Sequence, residues 1–189
     1  KVEKQPEITI AEKGDKKYKF LTPNDTTKWR AETLFKKEPS TVEWIEGMKS
    51  GEILYDIGAN VGSYSILAGV NGLKVYSFEP EAENYALLVK NMILNKLEPN
   101  AYCLALSNEE KAGTLYAGQE GVGGACHSFN EQVGHDLQER GAVFTQGSFG
   151  IPLDDLVAKG LPSPDHIKID VDGFEFKVVE GAKKVLANG

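Results

Sequence analysis

The chain has 189 residues, 41% of them hydrophobic, and a formal net charge of -7 with a pI near 5.1. That length buries one good core and is short for two ordinary domains. The acidic balance, with no basic stripe interleaved with aromatics, argues against nucleic acid as a partner, and no apolar run approaches the roughly 20 residues that span a bilayer.

Residues 1–23 are polar, with two short apolar stretches, 8–10 and 18–21, that suit pairing strands. Lys13, Lys16, Lys17 and Lys19 lie among Glu12, Gly14 and Asp15 and read as a solvated surface. Helical spacing covers 26–37 (Trp29, Thr33, Leu34) and 41–48 (Val42, Trp44, Ile45), broken by Pro39, with Ser40 and Thr41 suited to cap the second helix. Residues 1–50 are therefore expected to be accessory strands and helices, ahead of a core over 51–189.

After Gly51 the period changes. Residues 52–57 form a compact apolar run, as expected for a strand buried on both faces, and 63–70 a helix. A second buried strand over 74–78 leads into a helix over 81–95, with Tyr85, Leu88, Val89 and Met92 on one stripe. A third strand is expected at 100–106, then a hairpin-like stretch with strands at 113–117 and 125–129. Residues 130–141 read as loop or a short helix, 144–151 as a strand, 153–158 as a helix, and Pro162 and Pro164 as a turn.

The last apolar strand is 166–171, followed by a helix over 175–187. Strands alternating with helices predict a doubly wound, mostly parallel α/β sheet, whose ligands bind outside the carboxyl ends of the strands. With no initiator methionine, and with Gly189 directly after a helical pattern, a trimmed domain is expected, its last strand at a sheet edge. Cys103 and Cys126 lack any Cys-x-x-Cys spacing and are expected to be buried, inert thiols; no signal peptide is visible, and a reducing cytoplasm fits best.

The strongest chemical feature is Asp56, Ile57, Gly58, Ala59, Asn60, Val61, Gly62, between a buried strand and a helix. Glycines at 58 and 62 allow a sharp turn and close approach to a ligand, and the helix that follows offers amides to an anionic group. Glu79 closes the next strand, where an acid can accept from both hydroxyls of a ribose. Two glycines spaced around Ala59, Asn60 and Val61 do not match the G-x-G-x-x-G that cradles a pyrophosphate. S-adenosylmethionine instead brings a carboxylate, an amino group and a sulfonium, so Asp56 is expected at the cationic end and loop amides at the carboxylate.

Three segments, DIGANVGSYS at 56–65, FEPEAENYALLVKN at 78–91 and IKIDVDGFEFKVVEGA at 167–182, resemble the FkbM-type methyltransferase family. The upstream Arg30, Thr33, Lys37, Glu38, Pro39, Thr41, Trp44 and Ile45, and Leu153 to Leu156, resemble the same family, extending the likeness over 24–187. The resemblance implies a Rossmann-like class I methyltransferase fold, S-adenosyl-L-methionine as donor, and transfer to a hydroxyl of a small molecule or sugar. It also implies that Asp56, Gly58, Asn60 and Gly62 surround the methionine part, Glu79 the ribose, and Ser107 with Asn108 the adenine, with Asp170 facing the sulfonium and acceptor.

Asp170 is the expected general base, Asp172 the next acid, and Lys168, on the same face of a regular strand, the group that orients the carboxylate. The family usually shows Glu where Asp172 stands. A divalent metal between Asp170 and Asp172 stays open as an alternative, but no His or third acid is spaced to complete a site, so no metal is assigned. His127, His135 and His166 read as ordinary surface residues, His127 being set apart because the loop over 121–128 can bring an imidazole to the acceptor. Two other functions remain open: an NAD(P)-dependent oxidoreductase, which the glycine spacing disfavours, and a noncatalytic nucleoside-binding module, which Asp170 and Lys168 disfavour.

Overall fold

The computed structural model describes residues 7–119, 121–125, 127–131 and 141–188. Cys126, His135 and most of the stretch 130–141 lie outside them. The two N-terminal strands, β1 (Glu7–Lys13) and β2 (Lys16–Thr22), form an antiparallel hairpin whose turn places Gly14 at φ +62°. Its lysines pair at the surface, Lys17 with Glu12 at 3.1 Å and Lys16 with Asn71 at 2.6 Å.

Helix α1 (Asp25–Glu32) starts on a capping box between Asn24 and Thr27 and stops five residues short of the predicted end. Helix α2 (Pro39–Glu46) begins at the proline that was expected to separate the two helices, two residues before its expected start. Proline suits the first helical turn because its missing N–H has no acceptor there. Glu38 is the N-cap residue, and Ser40 and Thr41 sit inside the helix instead of capping it.

Two βα steps and a closing strand then build the centre: β3 (Ile53–Ile57), α3 (Ser63–Val70), β4 (Lys74–Phe78), α4 (Ala82–Leu94) and β5 (Ala101–Tyr102). The predicted third strand is divided. Its first part, β5, stays beside β4, whereas β6 (Ala105–Leu106) joins a second sheet with β7 (Lys111–Ala117), β8 (Ser128–Phe129) and β9 (Phe144–Ile151). Cys103 lies in the step between the sheets and is exposed, contrary to its expected burial. Among the described residues of the strand predicted at 125–129 only Ser128 and Phe129 form one, β8, and the preceding loop turns through Gly121 and Gly123 at φ +88° and +87°.

Helix α5 (Leu153–Ala158) leads to β10 (His166–Ile169). The predicted final helix is two pieces, α6 (Glu175–Glu180) and α7 (Lys183–Ala187). The break is at Gly181, where a Cβ would lie 2.1 Å from the Ser107 carbonyl oxygen. Its carbonyl accepts from Asp154 N, and the Asp154 carboxylate then caps the amides of Lys184 and Val185.

The central sheet is parallel, in the order β10-β3-β4-β5, with β10 at its edge among the described residues. Side chains alternate across it. Leu54 and Val75 join a core with Ile66, Leu67, Leu88 and the N-terminal Tyr18, Phe20 and Ile45, while Tyr55, Ile57 and Phe78 join Leu106, Leu153 and Val178 on the other face. Helices thus cover both faces, as a parallel sheet requires. The N-terminal elements share their core with the sheet. No helix among the described residues is long and apolar enough to cross a membrane.

Candidate functional site

The chain reverses direction across the sheet between β3 and β10, and there the carboxyl ends of three strands carry Gly58, Glu79 and Asp170. Gly58 has φ +76°, and a Cβ on it would lie 1.9 Å from the Asp170 carbonyl oxygen. Only glycine lets the turn cross the end of β10 so closely. Asn60 also takes a left-handed φ of 51°. It is held on three sides: its N–H donates to Glu79 Oε2 at 2.8 Å, its Oδ1 accepts from Val61 N at 2.9 Å and its Nδ2 donates to Gly124 O at 2.6 Å.

Three adjoining cavities follow this edge. The first is lined by Arg30, Lys37, Gly58, Asn60, Tyr64 and Asp170, together with Lys168. The second shares Arg30, Gly58, Asn60 and Asp170 and adds Glu79, His127 and Asp172. The third is an apolar slot between Phe78, Leu104, Leu106, Phe129 and Phe174, with His127 and Pro80 at its junction with the second. The structure therefore brings together six of the expected site residues: Gly58, Asn60, Glu79, Lys168, Asp170 and Asp172.

The others stand elsewhere. Asp56 is fully buried, with a relative exposure of 0%, because strand alternation turns it toward α3, where it accepts from Ser65 Oγ at 2.6 Å and from Lys168 Nζ at 2.9 Å. It supports Lys168 from behind and is not among the residues lining the three cavities, whereas it was expected at the donor's cationic end. Gly62 is the N-cap of α3 at φ +92°, packed so that a Cβ would meet Leu88 at 2.6 Å. Ser107 and Asn108 lie past the apolar slot, Asn108 donating to Glu180 Oε2 at 2.9 Å. The chain has already left the central sheet there, so Leu104 and Leu106 line the slot in their place.

The expected role of the loop amides also changes. Gly58 N and Ala59 N both donate to Phe78 O, Gly62 N donates to Ala59 O, and the amides of Asn60 and Val61 are held as described above. The turn is closed on itself. The leading amides of α3, which follow it, have no intrahelical acceptor, and no side chain caps them.

Glu79 is buried and accepts from the Asn60 and Glu81 amides at 2.8 and 2.9 Å. Burial pushes its carboxyl up to about 7, against the pull of those two hydrogen bonds. Two oxygens have about four acceptor directions, so each keeps one for a ligand. Asp170 is 52% exposed at its side chain, with Oδ2 3.9 Å from Lys168 Nζ. Burial of the rest of the group raises its pKa, and Lys168 opposes the shift.

Lys168 is 8% exposed at its side chain, lies 5.2 Å over the Tyr64 ring and is kept protonated by Asp56 and Asp170 against the cost of burial. Asp172 has φ +53° at the turn after β10. Among the described residues no three His, Cys, Asp or Glu side chains gather closely enough to hold a metal ion.

Several lining residues were not expected. Arg30 and Lys37 belong to the upstream pattern, but nothing in linear spacing places them at the end of β10. His127 does reach the cavities, its Nε2 3.4 Å from Asn84 Nδ2, and burial lowers its pKa, which favours the neutral imidazole. The 121–125 loop is pinned over the site by side chains from α1 with its cap and from α4: Asn24 Nδ2 donates to Val122 O at 2.8 Å and Arg30 Nε to Gly123 O at 2.8 Å, while Asn84 accepts from Gly123 N and donates to Gly124 O.

The fold and site define an α/β protein with a ligand crevice at the carboxyl edge of a parallel sheet, its walls carrying an apolar slot, a buried acid and a strand-end carboxylate. The model of the methyltransferase FkbM domain matches residues 56–188, and the chain belongs to that family. It is similar to the hexuronic acid methyltransferase AglP of Haloferax volcanii, at 23% identity over 183 residues, covering 94% of this chain and 69% of that protein.

Among solved structures it is similar to P. horikoshii TYW2 in complex with MeSAdo, at 25% identity and a TM-score of 0.37, over 53% of this chain and 39% of that one. It is also similar to a SAM-dependent methyltransferase from Agrobacterium tumefaciens, at 16% identity and a TM-score of 0.39, over 58% and 34%. The chain spans well under half the length of these two solved proteins.

Proposed function

We propose that this chain is an S-adenosylmethionine-dependent O-methyltransferase of doubly wound, class I type that acts on a hydroxyl of a sugar or other small molecule. Residues 51–189 form its core, and residues 1–50 are accessory elements that add Arg30 and Lys37 to the crevice. The observation that carries the proposal is the order of groups along one edge: an apolar slot, then Glu79, then the Gly58 turn facing Asp170. That order fits adenine, ribose and an amino-acid end in sequence, and the slot at Phe78, Leu104 and Phe129 suits a flat aromatic base. The hexuronic acid named for the Haloferax relative supports a sugar-type acceptor.

When bound, S-adenosylmethionine supplies a methyl group already activated on a sulfonium. Glu79 accepts from the ribose hydroxyls with its remaining lone pairs, and the Gly58 turn leaves space for the donor beside β10. Asp170 would take the proton of the acceptor hydroxyl while the hydroxyl oxygen gains the methyl group, the methyl–sulfur bond breaking so that S-adenosylhomocysteine leaves. Lys168, anchored on Asp56, holds the position of Asp170. Much of the rate comes from placing the acceptor oxygen in line, as is general for reactions of prearranged groups.

Calorimetric titration with S-adenosylhomocysteine beside NAD tests the donor. Binding of the first without the second is expected; NAD binding alone, or neither, refutes the assignment. Mass analysis of a hexuronic acid and a neutral hexose after incubation with methyl-labelled donor then tests the acceptor, a label on oxygen being the expected product.

A further inference from the structure

The crevice must neutralise the anionic end of any amino-acid ligand, and the backbone turn is poorly placed to do so. All five amides from Gly58 to Gly62 already donate within the protein. The leading amides of α3 stay open beside the turn, but a helix end carries only a partial charge, so a full neutralising charge must come from side chains.

Three cationic side chains line the first cavity: Arg30, Lys37 and Lys168. Lys168 is committed to Asp56 at 2.9 Å, and Lys37 lies 2.9 Å from Glu38 Oε1. Arg30 differs. Its Nε donates to Gly123 O at 2.8 Å, a neutral backbone acceptor. Asp170, Asp172 and Glu79 are near enough to favour its charge while burial opposes it. With Nε fixed, Nη1 and Nη2 remain as a planar pair of donors, which matches the two oxygens of a carboxylate.

We infer that Arg30 is the carboxylate clamp of this site, fixed at Nε by the Gly123 carbonyl and taking the α-carboxylate of the donor's methionine end through its Nη groups. The inference rests on the S-adenosylmethionine reading and deepens it by assigning the anionic subsite to the accessory segment instead of to the glycine turn. Two reactants bring a carboxylate, the donor and an acidic sugar acceptor. Arg30 lines both the first and second cavities, so the two sources are separated by experiment.

The test is calorimetry of S-adenosylhomocysteine and of 5′-methylthioadenosine, which keeps the adenine, ribose and sulfur but lacks the amino-acid end. Both are titrated into the intact chain and into Arg30→Gln and Arg30→Lys variants. A charge-assisted bond lost from a shielded site predicts that Arg30→Gln weakens S-adenosylhomocysteine about tenfold or more. Methylthioadenosine is unchanged, and Arg30→Lys recovers part of the loss because it keeps the charge without the fork.

Equal weakening of both nucleosides overturns the clamp, since Arg30 would then only prop the 121–125 loop. No change in either nucleoside or in acceptor binding overturns it as well. If both nucleosides are unaffected but a hexuronic acid binds more weakly and a neutral hexose does not, the assignment to the donor is overturned and the carboxylate that Arg30 takes is the acceptor's. Failure of the unmodified chain to bind either nucleoside is a different result, which refutes the proposed function itself.

Discussion

Lys168 and Asp56 are register partners in the β10·β3 ladder, and their side chains meet on the same face of the sheet at 2.9 Å. A lysine and an aspartate facing each other inside a parallel sheet are compatible with folding only as a pair. Ser65 adds a second hydrogen bond to Asp56 and shares a 2.8 Å contact with Ser77.

Replacing Lys168 by Met leaves the Asp56 carboxylate buried without its cation, and breaking a buried pair costs about 3–5 kcal/mol. Urea denaturation of Lys168→Met should show a loss of that size. The combined Lys168→Met, Asp56→Leu variant should lose less than the sum of the two single changes, since neighbours in one network are not additive. Simple additivity would show that the pair is not coupled.

Glu79 sets a pH dependence of stability. Its folded pKa of about 7 lies above the ordinary 4.5 because of burial, so the folded protein holds more protons than the unfolded chain between those values. The contribution is complete below the unfolded pKa and is lost as pH rises through about 7, a loss of about 3 kcal/mol for a fully buried group. Urea midpoints of the unmodified chain should fall between pH 5 and 8 relative to those of Glu79→Gln. Parallel curves would contradict the assignment.

Gly58→Ala meets backbone at 1.9 Å from a left-handed φ, whereas Gly14→Ala meets nothing within 4 Å at φ +62°. The second substitution should cost only the left-handed strain, about 1 kcal/mol. The first should cost several times that and abolish binding of S-adenosylhomocysteine, because the end of β10 must move. Thermal melts and calorimetry of the two variants distinguish local strain from a collision in the site, and equal destabilisation would remove the argument.

Asp170→Asn keeps the size of the side chain and removes its basicity. With labelled donor and an accepted sugar, kcat should fall by about 100-fold or more, the usual scale for a general base, while S-adenosylhomocysteine affinity stays the same. The Asp170 pKa is raised, chiefly by burial, so activity of the unmodified enzyme should decline as pH drops through a value above the ordinary carboxylate range. An unchanged kcat would assign the proton to another group.

The sequence determined which residues enter strands and helices wherever burial is two-sided or an apolar stripe has a clear period. The apolar run before Gly58 and the helix stripe through Leu88 and Met92 depend on neighbours a few positions away, whereas the cap expected at Ser40 and Thr41 did not form. It also marked Gly58, Glu79 and Asp170, because strand ends in an alternating α/β chain converge on one edge. Glycine with a forbidding φ and an acid closing a strand are local signals of that convergence.

The tertiary structure decided what those residues face. Strand alternation turned Asp56 toward α3, a break near Cys103 carried Ser107 and Asn108 past the slot, and Gly181 split the last helix because Ser107 occupies the place of its Cβ. Arg30 and the 121–125 loop meet across 93 positions. No periodicity or spacing encodes such a contact, because it is set by how whole elements pack; the chemistry of this site depends on it as much as on the motif that announced it.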